Sequence, residues 1–166
     1  MAQITLGGNP TNTSGDLPAK GSKAPGFTLA GVDLVDFSMD KYAGKKLILN
    51  IFPSVDTGVC AASIREFNKS AASLDNTVVL CISMDLPFAQ QRFCGAEGIE
   101  NVVMASGFRN GAKFGSDYGV MLADGGFQGL FARAVVVVDE NGEVTHTELV
   151  PEIGQEPNYE AALNAV

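Results

Sequence analysis

The sequence predicts an α/β fold: a central mixed β-sheet flanked by helices on both faces, with a β-hairpin at the N-terminus. Three observations carry this. Apolar runs of strand length alternate with helical spacing through the middle of the chain, which argues for a layered sheet-and-helix architecture. Two further strand-like runs near the end are joined by "DENG", a hairpin signal. The chain has 166 residues, enough for one hydrophobic core and too few for two, so residues 1–166 are expected to form a single domain.

The elements follow in order. "QITLGGNPTNT", residues 3–13, places two short extended pieces around "GGNP", the chemistry of a tight turn. After the turn-rich "SGDLPAKGSKAPG", the segment "FTLAGVDLVDFSM" spaces its apolar residues as strands do. Leu47–Phe52, "LILNIF", is a continuous apolar run, the mark of a strand buried on both faces. Cys60, Ile64, Phe67, Ala71 and Leu74 then recur at steps of four, three, four and three, one face of a helix that starts near Cys60. "TVVLCISMD", residues 77–85, is a second doubly buried strand. "LPFAQQRFCGAEG" reads as a short helix with Asp85 and Pro87 near its start and Gly95 near its end. "NVVMAS" is a strand and "RNGAKFGSDYG" a short polar helix or loop. "ARAVVVVDENGEVTHTELV" is a hairpin, and "NYEAALNAV" closes the chain as a helix.

Composition excludes several classes of function. The chain is 46% apolar and 18% charged, which places it with folded globular proteins rather than disordered ones. Eleven basic residues against nineteen acidic ones leave a net charge of −8, and no stretch gathers the basic residues. Nucleic acid and anionic membrane surfaces are therefore not expected partners. No apolar run approaches the roughly 18 residues of a membrane span, and "MAQITLGGNPTNTSGD" lacks the basic and apolar regions of a secretory signal. A cytoplasmic location is expected.

Three cysteines remain, Cys60, Cys81 and Cys94, an odd count at spacings that suit neither a disulfide framework nor a zinc site. Cys60 stands at a strand–loop–helix junction. With Thr57 as N-cap it takes the third helical position, where unpaired amides and the helix dipole favour a thiolate. Position alone also allows the bland reading, a small apolar filler beside Ile64 and Phe67. Cys81 lies inside a strand apolar on both faces and reads as an inert buried thiol. Cys94, near a helix end loosened by Gly95 and Gly98, is a packing residue by itself and a second thiol if Cys60 is reactive.

Other chemistries find little support. His146 is the only histidine. Strand alternation puts it on an exposed face with Val144 and Glu148, which makes a histidine-based metal site or a Cys–His pair improbable. "GFRNGAKFG" and "ADGGFQG" are glycine-rich but lack the lysine and the strand–turn–helix context of phosphate loops.

"FPSVDTGVC", with Pro53, Thr57 and Cys60, resembles the active-site motif of the peroxiredoxins. Within them the chain is similar to the bacterial thiol peroxidases, of the atypical two-cysteine type. The similarity runs through "NIFPSVDTGVCAAS", "NTVVLCISMDLPFAQQRFCGAEG", "ARAVVVVDENGEV", "LVPEIGQEPNYEAAL" and the N-terminal "GNP" turn. It implies a thioredoxin-like fold, a peroxide-reducing Cys60, a resolving Cys94 in the same chain and an active-site Arg133. It further implies recycling by thioredoxin, a homodimer, and acceptance of organic hydroperoxides as well as hydrogen peroxide. Apolar Phe52 and Val59 agree with that substrate range. No metal, flavin or haem is implied.

The residues themselves do not single out Arg133 from Arg65, Arg92 and Arg109. They do say that Arg133 opens a buried strand, so that its charge needs a partner, and a thiolate is one. On this view the Thr57 hydroxyl and the Arg133 guanidinium stabilise thiolate and leaving oxygen, while Pro53 shields the thiol from water. Cys94 then closes a disulfide on the Cys60 sulfenic acid, with local unwinding of helix ends to bring the sulfurs together. Two other readings exist. A thiol–disulfide oxidoreductase would need a Cys-x-x-Cys pair, and Thr57 stands where its first cysteine would be. A non-catalytic redox switch could use the same Cys60–Cys94 bond.

Overall fold

In the computed structural model, which describes residues 1–166, the central sheet is built around β5 (Lys46–Ile51) and β6 (Thr77–Ser83). These two run parallel, as do β6 and β7 (Val103–Ser106). β8 (Ala134–Val138) pairs antiparallel with the other side of β5, and β9 (Val144–Leu149) antiparallel with β8. β3 (Thr28–Ala30) and β4 (Asp36–Ser38) complete the opposite edge, giving the seven-stranded order β4-β3-β7-β6-β5-β8-β9. A separate hairpin, β1 (Gln3–Leu6) and β2 (Asn9–Asn12), turns at Gly7 and Gly8, both at positive φ. The mixed sheet and the N-terminal hairpin agree with the expectation.

Alternation along β5 divides the interior. Leu47, Leu49 and Ile51 point to one face, where Phe114 and Tyr118 of α3 (Gly111–Tyr118) cover them together with Phe131. Ile48 and Phe52 point to the other. There they meet Cys60, Ile64 and Phe67 of α1 (Gly58–Ala71), Phe93 of α2 (Pro87–Glu97) and Ala162 of α4 (Tyr159–Asn164). Both faces being covered is why β5 and β6 read as unbroken apolar runs. Leu74, the last residue of the α1 stripe, lies just beyond the helix and packs on the same cluster. No helix is long and apolar enough to cross a membrane.

Two local expectations are corrected. The segment read as a short polar helix or loop is an amphipathic helix, because Phe114 and Tyr118, one turn apart, stack with ring centroids 4.5 Å apart inside the core. α2 has Gly95 near its end, as expected, runs to Glu97 and stops at Gly98, whose left-handed backbone (φ 66°) is the conformation that glycine tolerates. In β9, Val144 pairs with Val138 but His146 with Val137, so Thr145 is an extra, bulged residue. The bulge resets the alternation. Val144 packs under the α3 face, while His146 lies opposite Val137 on the α1 face, half-buried rather than exposed.

Candidate active site

The loop from β5 to α1 carries "PSVDTGVC", and Cys60 falls at the third helical position, as the N-cap argument requires. Thr57 is the N-cap with extended backbone (φ −102°, ψ 142°), but its hydroxyl does not cap the helix. It donates instead to the Ser54 carbonyl at 3.0 Å, which also takes the Thr57 amide at 3.2 Å. The amides of Gly58, Val59 and Cys60 therefore keep their hydrogens free, an anion-favouring array at the sulfur's end of α1. Cys60 has no exposed surface, Phe52 is buried in the same cluster, and Pro53, next to Phe52 in the chain, is buried as well.

Arg133 arrives from the other side of β5. Ile51 pairs with Ala134, so the residue before β8 is brought level with Phe52, where the Cys60 loop begins. The guanidinium is 1% exposed. Its Nη2 donates to Cys60 Sγ at 3.2 Å and its Nε to the Ile153 carbonyl at 2.7 Å. Nη1 is buried and has no partner. No carboxylate pairs with this charge, so Cys60 is the only contacting group able to become its counter-ion. A buried cation with an unused donor beside a sulfur is equipped to stabilise developing negative charge.

The other cysteines differ in accessibility and acidity. Burial pushes the Cys81 thiol up to about 12, against a small opposing effect of the Asn50 side-chain amide, 3.7 Å away. An inert structural thiol is the consequence. Cys94 is half-buried in the last turn of α2 and packs on the cluster that contains Cys60; burial raises it too. All three are free thiols. The cap of α2 closes on Cys94 itself, whose carbonyl accepts the Gly98 and Ile99 amides. Two surface ion pairs tie α2 to its surroundings, Arg92–Asp56 at 2.8 Å and Arg65–Glu97 at 3.4 Å.

One contact at the site escaped the reading of the sequence. Asp85, taken only as a residue near the start of α2, accepts hydrogen bonds from Ser54 and Val55 in the Cys60 loop. The available signal was its place just past the carboxyl end of a buried strand, where α/β proteins assemble sites. A groove of about 540 Å³ lies elsewhere, between Phe27, Asp36, Asp40 and Lys113. Its lining includes neither Cys60 nor Arg133, which are buried in the interior.

Comparison with known proteins agrees with this geometry. The redoxin family profile matches residues 19–163. Thiol peroxidases of Mycobacterium bovis and Mycobacterium tuberculosis are each 63% identical to the chain, covering 100% of it and 99% of their own length. A peroxiredoxin-like protein from Aquifex aeolicus superposes with a TM-score of 0.92 at 36% identity, over 99% of this chain and 95% of that one. A thiol peroxidase from Chromobacterium violaceum, at 20% identity, shares the fold with a TM-score of 0.91 over 99% and 95%. The thioredoxin-like architecture is thus that of the peroxiredoxins.

Proposed function

The chain belongs to the redoxin family and, within it, to the thiol peroxidases, and from that membership we propose that Cys60 is the peroxide-reducing thiol, with Arg133 and Thr57 as its partners. The observation that carries this is the Arg133 guanidinium, one nitrogen 3.2 Å from Cys60 Sγ and another buried without a partner. Cys60, as thiolate, attacks the terminal oxygen of a hydroperoxide. The O–O bond breaks, sulfur keeps the OH as a sulfenic acid, and the remaining oxygen leaves as an alkoxide or hydroxide that takes a proton from water. Arg133 Nη1 is the donor left over for that departing charge, while Nη2 holds the sulfur.

Thr57 serves the same step if its hydroxyl turns from the Ser54 carbonyl toward the incoming peroxide, and Pro53 helps to keep water out. Because Cys60 is fully buried, entry of the peroxide needs a small opening of the loop. Cys94 is the resolving thiol: its sulfur displaces the hydroxyl of the sulfenic acid, forming a disulfide and water. An external dithiol, for which the family points to thioredoxin, reduces that bond. Hydrogen peroxide and organic hydroperoxides are the substrates in view, and a homodimer, to be checked by sedimentation, is the assembly.

The test is peroxide consumption by the purified protein with thioredoxin, its reductase and NADPH. Cys60→Ser should abolish turnover; wild-type rates in that variant would refute the assignment.

A further inference from the structure

Beyond the end of β6, Asp85 turns its carboxylate toward the Cys60 loop. Oδ1 accepts the Ser54 hydroxyl at 2.7 Å. Oδ2 accepts the Val55 amide at 2.8 Å and the Ser83 hydroxyl at 2.6 Å. Asp85 is itself held by the sheet: its amide donates to Ser83 Oγ at 3.3 Å, and the Ser106 hydroxyl donates to its carbonyl. Ser83 and Ser106 have no exposed surface, so this mounting belongs to the rigid ends of β6 and β7. No lysine or arginine pairs with the carboxylate, and its charge is met by hydrogen-bond donors alone.

What Asp85 holds is the part of the loop that sets the chemistry. Ser54 offers its carbonyl to both the amide and the hydroxyl of Thr57. Val55 is buried in the same cluster as Cys60. A fixed path thus runs from the sheet through Asp85 to Ser54, and from Ser54 to Thr57 and the first turn of α1. Two oxygens accepting three donors is a task for a carboxylate, since an amide of the same shape has one acceptor oxygen and would present N–H groups to the remaining donor.

Resting on the reading of Cys60 as the peroxide-reducing thiol, we propose that Asp85 is a positioning residue for the reaction, holding Ser54 and Val55 so that Thr57 and Cys60 meet the peroxide already aligned. It acts through the loop and not on the sulfur. The effect is one of orientation, for which a displacement of about 1 Å can lower a rate about 100-fold.

Two reactions of Cys60, each followed by quenched-flow mass spectrometry of its peptide, test this. Reaction with hydrogen peroxide needs aligned donors; alkylation by iodoacetamide needs the thiolate and the same loop opening, but no donors aligned on a leaving oxygen. Asp85→Ala should slow the first about 100-fold and the second less than about fivefold, with Asp85→Asn and Ser54→Ala falling between wild type and Asp85→Ala. Gln90→Leu serves as the control. Gln90 donates to the same Ser83 Oγ at 3.2 Å and to the Ala105 carbonyl but makes no hydrogen bond to the loop, so its peroxide rate should stay within about threefold of wild type. A peroxide rate within about threefold of wild type in Asp85→Ala, or equal losses in both reactions, overturns the proposal. If Asp85→Ala does not fold, Asp85→Asn and Ser54→Ala decide by the same ratio. Full turnover in Cys60→Ser would instead sink the underlying reading, whatever Asp85 does, so the two failures are separable.

Discussion

Replacing Arg133 by Met asks the guanidinium's contribution to chemistry and to folding in one variant, since Met has a similar reach and no charge. One donor to the sulfur and one unpaired donor are lost. The Nη2 contact to Cys60, 3.2 Å long, is a hydrogen bond to a charged group in the thiolate state, for which about 1.5–3 kcal/mol is typical. In the proposed mechanism the unpaired Nη1 serves the leaving oxygen, and removing one such donor lowers rates about 100- to 1,000-fold. Both nitrogens belong to one group, so the losses do not multiply, and the expected fall in the rate constant for Cys60 oxidation is about 100- to 1,000-fold. Stability should behave differently. Arg133 is a charge at 1% exposure with one nitrogen unpaired, and replacing such a group by an apolar one is often neutral or favourable. Against this stands the Nε bond to the Ile153 carbonyl at 2.7 Å, whose loss costs about 1 kcal/mol. The net shift in Tm is therefore expected to stay within about 4 °C. The assay is quenched-flow oxidation of Cys60 beside a thermal melt. A rate within about threefold of wild type would refute the proposed role of the guanidinium. A drop in Tm beyond about 10 °C would refute the account of the buried charge.

Cys94→Ser should reduce one equivalent of peroxide and then stall or over-oxidise at Cys60; sustained thioredoxin-dependent turnover would remove Cys94 from the resolving role. Arg92 and Asp56 are 62% and 63% exposed, so their ion pair contributes about 0.2–1 kcal/mol. Arg92→Ala should accelerate Cys60–Cys94 closure by no more than about fivefold, an advantage that disappears in about 1 M salt. A larger, salt-independent change would mean that Arg92 does something other than latch α2. Gly98 and Gly119 both adopt left-handed backbone, but a Cβ on Gly98 meets open space whereas one on Gly119 collides with the Asp16 backbone. Gly98→Ala should destabilise the protein by about 1 kcal/mol and Gly119→Ala by clearly more, as read from urea melts. Finally, Glu152 is pulled from its ordinary 4.5 down to about 2, first by the Gly154 amide, then by the Gly8 amide and the Thr5 hydroxyl. A depressed carboxyl stabilises the fold above its unfolded value and loses that contribution as pH falls from 4.5 toward 2. Exchange of the Gly8 amide, corrected for intrinsic rate, should quicken relative to the core over that window, and Glu152→Gln should flatten the dependence.

Much of this molecule was legible in one dimension, because the signals were periodic or local. β5, β6 and β8 announce themselves as unbroken apolar runs, since strands covered on both faces have no polar side to show. The α1 stripe, its start near Cys60 and the third-position cysteine follow from spacing within a single element. So does the inertness of Cys81, which needs only that both faces of its strand be apolar. α3 was harder to read. Four of its eight residues are Gly, Ala or Ser, and its buried face rests on Phe114 and Tyr118, whose environment comes from β5, Phe27 and Phe131.

The site depends on pairings between distant segments. Arg65, Arg92 and Arg109 are 48%, 62% and 43% exposed and sit opposite surface carboxylates, whereas Arg133 is buried against Cys60. The local sequence places Arg133 at the head of a buried strand but does not identify its partner. The difference arises because β8 runs antiparallel to β5 with Ala134 opposite Ile51, which carries the preceding residue to the thiol. The same holds for Asp85, whose partners Ser54 and Val55 lie about thirty residues earlier and meet it only because β5 and β6 are parallel neighbours ending side by side. The bulge at Thr145 likewise exists only through pairing with β8. "PSVDTGVC" thus carries the proposed nucleophile and the start of its helix in its own residues, while the cation beside the sulfur and the carboxylate that holds the loop are supplied by strand register.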